Sequence, residues 1–150
     1  MKTAYKSTIN QLKVYRQAHT LEEQVLAMVK ELDAEEFYPT PNALWRATVA
    51  TAHYIAEAHE RYSYTIKIQS LQYARISAEE AIKHLEEFAH ANKIDVKEMA
   101  EDFNSIVKQC WGLIKYLQGK QREHAEQNLP VTSPAYVGRG DLAEAQSDNA

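Results

Sequence analysis

Between Pro41 and Pro130 the chain contains no proline and only two glycines, Gly112 and Gly119. Proline removes a helical donor and glycine adds backbone entropy, so a long stretch nearly free of both favours helix as its ordered state. The other breakers cluster at Pro39 and Pro41, at Pro130 and Pro134, and at Gly138 and Gly140. They mark one linker near residue 40 and a C-terminal segment of different character.

Apolar residues in the intervening stretches recur at alternating steps of three and four, which places them on single helical faces. Helix 1 is expected from about Gln11 to Leu32, with Ala18, Leu21, Val25, Met28 and Leu32 as its stripe. Thr40 before Pro41 reads as the cap and first turn of helix 2, which runs to about Arg61. Its stripe of Leu44, Thr48, Thr51, Ile55, Ala58 and Tyr62 is narrow and small, so a neighbouring backbone can come close. Ser63 is the expected cap of helix 3, whose stripe Leu71, Ala74, Ala78, Ala81, Leu85 and Phe88 continues to about Ala91. Asp95 with Glu98 resembles a capping box for helix 4. That helix carries Met99, Phe103, Ile106, Cys110, Leu113 or Ile114, and Leu117, and is expected to stop at Gly119. Short connections force consecutive helices to lie antiparallel. The expected fold is all-α, an up-down-up-down antiparallel four-helix bundle over 11–120, with an N-terminal arm over 1–10 and a flexible tail over 121–150.

At 150 residues and 45% hydrophobic content the chain can bury one core without disulfide or structural metal. Its one cysteine, Cys110, lies at an apolar helical position, which points to a packing role in a reducing compartment. The N-terminal residues lack an apolar signal region, and no run of about 18 uncharged apolar residues occurs. A cytoplasmic protein with no membrane partner is expected.

The formal net charge is −4, but the charges are segregated. Residues 1–20, 61–78 and 105–122 carry cations and no acid, whereas acids gather in late helix 1 and between Glu79 and Asp102. In an up-down-up-down bundle those three basic segments share one end, which predicts a basic pole opposite an acidic one. Six of the nine tyrosines, Tyr5, Tyr15, Tyr62, Tyr64, Tyr73 and Tyr116, fall in the same segments. Cations beside aromatic rings suit single-stranded nucleic acid, which both neutralises and stacks. The candidate nucleic-acid-binding residues are Lys13, Arg16, Arg61, Lys67, Arg75, Lys115, Lys120, Tyr62 and Tyr64. The competing reading is structural, since tyrosine suits a half-buried bundle end and cations complement helix C-termini.

Catalytic machinery is not evident. A di-iron bundle needs two Glu-x-x-His pairs, and only Glu87 with His90 has that spacing. His53 with Glu57 and Glu80 with His84 share helical faces, but the first pair projects away from the expected core. No glycine-rich phosphate loop or nucleophile elbow is present. No enzyme activity, metal or cofactor is expected. Arg139-Gly140-Asp141 in the tail is a chance tripeptide in a chain of this kind.

Several apolar residues fall off the core stripes. Leu26, Val29, Trp45, Val49, Tyr54 and Trp111 would leave a large exposed patch on a monomer, and they are the candidate oligomer interface, with Val107 beside them.

The residues Arg46-Ala47-Thr48-Val49, Ile55-Ala56-Glu57 and Arg61 resemble the signature of a bacterial four-helix-bundle family encoded in intervening sequences of large-subunit ribosomal RNA genes. Leu71, Ala74, Ser77 and Glu80, and upstream Leu12-Lys13-Val14-Tyr15 with Ala18-His19, fit the same pattern over roughly Leu12 to Gln118. The resemblance implies a homopentameric ring without established enzymatic activity. A related branch, the accessory variability determinant of diversity-generating retroelements, implies a reverse transcriptase and nucleic acid as partners. This chain departs from the family in having Ala58 where glycine is common, and from the branch in its negative charge. Two functions follow as expectations: an oligomer that binds RNA or DNA through its basic, tyrosine-rich pole, or a structural or protein-interaction scaffold.

Overall fold

The computed structural model of the chain describes residues 12–31 and 40–128. Among the described residues there are four α-helices and no strand: α1 (Lys13–Lys30), α2 (Thr40–Glu60), α3 (Tyr64–Asn92) and α4 (Lys97–Asn128). The fold is all-α, as the periodicity predicts. The expected N-terminal arm with Tyr5, the stripe residue Leu32, the linker before Thr40 and the Arg139-Gly140-Asp141 tripeptide lie outside the described residues.

Local chemistry sets the helix ends. Ser63 has extended backbone, φ −75° and ψ 130°, and its hydroxyl accepts the Ile66 N–H at 3.3 Å, so it caps α3 as expected. Asp95 Oδ1 accepts the Lys97 N–H at 3.0 Å ahead of α4. Between these helices Lys93 takes the left-handed conformation, φ 55°, and its N–H and that of Ile94 both turn back to the Ala89 carbonyl. That is the reversal a helix C-terminus uses when the following element must double back.

Gly119 does not stop α4, which continues to Asn128. A helical glycine costs only about 1 kcal/mol relative to alanine, and no described glycine takes positive φ. The added turns are held against α3, where Gln121 Nε2 donates to Thr65 Oγ1 at 2.9 Å and the His124 ring meets Tyr64 edge-on at 6.0 Å.

The predicted stripes form the core. Ala18, Leu21 and Val25 of α1, Leu44, Ile55 and Ala58 of α2, the whole α3 stripe, and Phe103, Ile106, Cys110 and Ile114 of α4 are buried. Val14 joins them at the start of α1. Ile114 rather than Leu113 takes the core position. Tyr62 departs from the expectation: α2 ends at Glu60, so the helical period no longer carries to it, and it is 99% exposed.

The most extensive contact is between α2 and α3. It is lined by small residues, with Ala47, Thr48, Thr51 and Ala52 on α2 and Ser70, Ala74, Ser77 and Ala78 on α3 all buried. Two hydroxyls enter this core without orphaned polar atoms, because Thr48 Oγ1 donates to the Leu44 carbonyl at 2.7 Å and Thr51 Oγ1 to that of Ala47 at 2.9 Å. Contacts along α3 run in opposite sequence order to those on its neighbours. Tyr73 meets Tyr54 of α2 with ring centroids 5.2 Å apart, and Lys67 reaches Ala58. On the other flank Arg75 lies over the Trp111 ring, while Thr65 meets Gln121 further on. A polar strap joins α1 to α4: Gln17 Oε1 accepts from Gln109 Nε2 at 2.7 Å, and Gln109 also donates to Ser105 Oγ at 3.0 Å.

Because the α2–α3 seam depends on small side chains, Ala78→Leu, at a site with no exposure, will overpack it. The expected loss is about 1–3 kcal/mol, seen as a lower urea midpoint with an unchanged slope.

Candidate nucleic-acid interface

The start of α1, the end of α2, the start of α3 and the late part of α4 meet around one apolar cleft of about 200 Å³. Leu12, Ala58, Lys67, Leu71, Leu113 and Tyr116 are among its walls. The three segments that sequence reading expected to share a pole are thus brought together, over their described residues.

The cations of that pole differ in what they are free to do. Lys13, Arg16 and Lys115 are exposed and form no ion pair among the described residues. Lys120 is exposed, with Nζ 3.7 Å from Glu123 and 5.7 Å from the Tyr116 ring centroid. Arg61 is paired with Glu57 one turn back, through both its Nε and an η nitrogen. Arg75 is bound to both Glu79 carboxylate oxygens at 3.1 Å, to Gln72 Oε1 at 3.1 and 3.3 Å, and stacks over Trp111 at 4.5 Å. These two guanidinium groups are therefore already committed within the chain.

Lys67 is placed differently from the expectation. Its Nζ turns inward and donates to the Ala58 carbonyl at 2.9 Å and to that of His59 at 3.3 Å. It caps the carbonyl end of α2, where the helix dipole is negative, and burial lowers its pKa. The signal available in sequence, a lysine a few residues past a helix end, fits both roles equally.

Aromatic groups also divide. Tyr62 projects from the turn and Tyr116 is 60% exposed beside the cleft, whereas Tyr64 packs against His124. His59, also on the cleft, has its pKa lowered below 6.5 by burial and then by the nearby Lys67 ammonium, with Glu60 opposing. Burial pushes the Cys110 thiol up to about 12, with Arg75 opposing, so the thiol is protonated near neutrality and serves packing.

Among the described residues no group of three or more His, Cys, Asp or Glu side chains is placed to hold a metal ion. Glu57 of the His53 pair is engaged by Arg61, and His84 lies 3.5 Å from Glu87 instead of sharing a site with His53. Glu80, Glu87 and His90 are on exposed helix surface. Among the described residues no helix is long and apolar enough to cross a membrane.

The expected oligomer residues are redistributed. Val29, Trp45, Tyr54 and Val107 are half-buried and pack on the chain's own core, and Leu26 and Val49 are also half-buried. Trp111 remains 41% exposed. The exposed apolar band instead crosses α3, from Tyr73 beside Tyr54, through Ile76, to Trp111 under Arg75. Tyr73 and Ile76 were not legible as surface residues because a broad apolar face on α3 would serve a buried central helix as well.

A family model described as 23S rRNA-intervening sequence protein matches residues 10–119. No curated protein and no solved structure matches the chain.

Lys67→Met will remove two charge-assisted hydrogen bonds at the end of α2 and is expected to destabilise the fold by about 1–2 kcal/mol in urea titration. For His59 the unfolded chain takes up a proton first as the pH falls, because the folded-state pKa is lowered. Its contribution is intact above about pH 6.5 and is lost as the pH drops below that value toward the folded pKa. His59→Gln should therefore narrow the difference between melting temperatures measured near pH 7.5 and near pH 5.5.

Proposed function

We propose that this chain, which belongs to the 23S rRNA-intervening sequence protein family, is a cytoplasmic, non-enzymatic, self-associating bundle that binds RNA or DNA. In this reading the helices run up-down-up-down and the nucleic acid meets the pole around the cleft. Lys13, Arg16, Lys115 and Lys120 supply phosphate contacts, and Tyr62 and Tyr116 offer rings for stacking. The observation that carries the reading is that exposed cations adjoin the cleft-lining residues of α1 and α4, Lys13 between Leu12 and Val14 and Lys115 before Tyr116, at the end where two of the most exposed aromatic side chains in the described residues, Tyr62 and Tyr116, project. A folded core does not need a tyrosine left 99% exposed on a turn. Arg61, Lys67 and Arg75 act structurally, through Glu57, the α2 carbonyls and the Glu79–Trp111 cluster.

Self-association uses the α3 band of Tyr73, Ile76 and Trp111, which is aromatic and arginine-bordered in the manner of protein contact surfaces. The pentamer remains the stoichiometry that the family resemblance implies. Repeating a weakly basic pole around an axis would multiply modest sites into useful avidity. A reverse transcriptase is the protein partner to try first in a pull-down, on the resemblance to the retroelement branch.

Anisotropy titrations with single-stranded RNA should show binding that weakens steeply with salt. Lys13→Gln with Arg16→Gln should reduce the affinity by about tenfold, whereas Lys67→Met should leave it within about twofold. Absence of salt-dependent binding by the wild-type chain would overturn the reading in favour of a scaffold. Light scattering that gives 17.2 kDa, the mass of a single chain, at micromolar concentration would remove self-association.

A further inference from the structure

Asp102 and Glu123 bound a stretch of α4 that contains no acidic residue and four cations. Of these, Lys108, Lys115 and Arg122 recur every seventh residue. Seven residues are close to two helical turns, so the three fall on nearly one line, about 10 Å apart and about 21 Å from first to last. That line lies opposite the buried Ile106, Cys110 and Ile114, and all three cations are exposed. None forms an ion pair among the described residues. On α3, Glu79 is occupied by Arg75, which in turn covers Trp111.

Gly112 and Gly119 lie beside this line, also seven residues apart. A Cβ on Gly112 would meet nothing within 4 Å, and one on Gly119 only the Arg122 guanidinium at 3.9 Å. Packing within the chain therefore does not require either glycine, although both weaken the helix. Their effect is to leave the helix backbone accessible between the cations, where a partner surface can come close.

We infer that the solvent face of α4 is a rail for a nucleic-acid phosphate backbone, with Lys108, Lys115 and Arg122 as its contact points. The inference rests on the proposed nucleic-acid binding and extends the site from the pole along the side of the bundle. A separation of about 10 Å between cations exceeds the roughly 3.4 Å of helix axis per charge on one duplex strand, so the three cations meet separate phosphates. The contacts are to phosphate, so they position the ligand without reading its sequence.

The test compares the full-length wild-type chain with a K108Q/K115Q/R122Q triple variant, a K115Q single variant that sets the share of the pole contact at Lys115, the K13Q/R16Q pole variant and G112Q. Each is titrated by anisotropy with labelled single-stranded RNA, duplex RNA and duplex DNA between about 50 and 200 mM salt, and subunit number is measured alongside by light scattering. Relative to K115Q, the triple variant should lose about tenfold or more in affinity for at least one of these probes and flatten its log–log salt slope by roughly 2. The probe most affected identifies the form of nucleic acid that the rail holds. G112Q should weaken the same probe several-fold with a melting temperature at or above that of wild type. If wild type binds and the pole variant weakens, but the triple variant stays within about twofold of K115Q, the rail is refuted while the pole stands. A changed subunit number in the triple variant or G112Q would make this face a subunit contact and overturn the rail. Loss of binding in wild type itself would remove the pole and the rail together.

Discussion

The close contact between α2 and α3 is the constraint on which the rest of the bundle depends. Alanine, serine and threonine occupy the seam, and the Thr48 and Thr51 hydroxyls are satisfied inside their own helix. The two backbones can then approach without bulky side chains between them, and with no buried hydroxyl left unsatisfied. The cost is that a narrow seam buries little apolar area per residue. Larger side chains are displaced to the flanks, as seen with Trp45 and Tyr54 on α2 and Tyr73 and Ile76 on α3. Surplus apolar surface is thus a result of how the core is built.

The same geometry organises the pole. With α3 fixed against α2, Lys67 can reach back to the last carbonyls of α2 and close the turn over residues 61–63. That turn is short and tied at both ends, by Lys67 on one side and by the Ser63 cap on the other. Tyr62 is carried outward on it. The cation that fixes the turn and the ring that the turn presents are neighbours in sequence with separate tasks.

Much of the fold is legible in the sequence because helical periodicity is a local signal. All four helices, the Ser63 cap and most core positions can be read from spacing, whereas Val14, Ala47, Ala52 and Val96 are buried outside the expected stripes. The end of α4 cannot, because Gly119 caps a helix most readily in a left-handed backbone that it does not adopt here, and the turns beyond it meet Thr65 and Tyr64 of another helix. The pole is legible as a convergence of segments, since short loops fix which ends meet. The state of each cation is not. Arg61 and Glu57 are visible at i,i+4 spacing, but whether Lys67 points to solvent or to a carbonyl depends on where α2 stops, and that is a tertiary matter. Exposure of Ile76 likewise depends on which side of α3 lacks a neighbour.

The extension of α4 beyond Gly119 gives the bundle unequal arms. Its final turns touch α3 through Gln121 and His124, at the very start of that helix, and residues 122–127 are exposed. A segment with so few buried contacts has an opening free energy well below that of the core. Hydrogen exchange would divide α4 into a slow inner part and a fast outer part, so one continuous helix comprises two thermodynamic units. The outer unit can gain order from a partner without any rearrangement of the inner one.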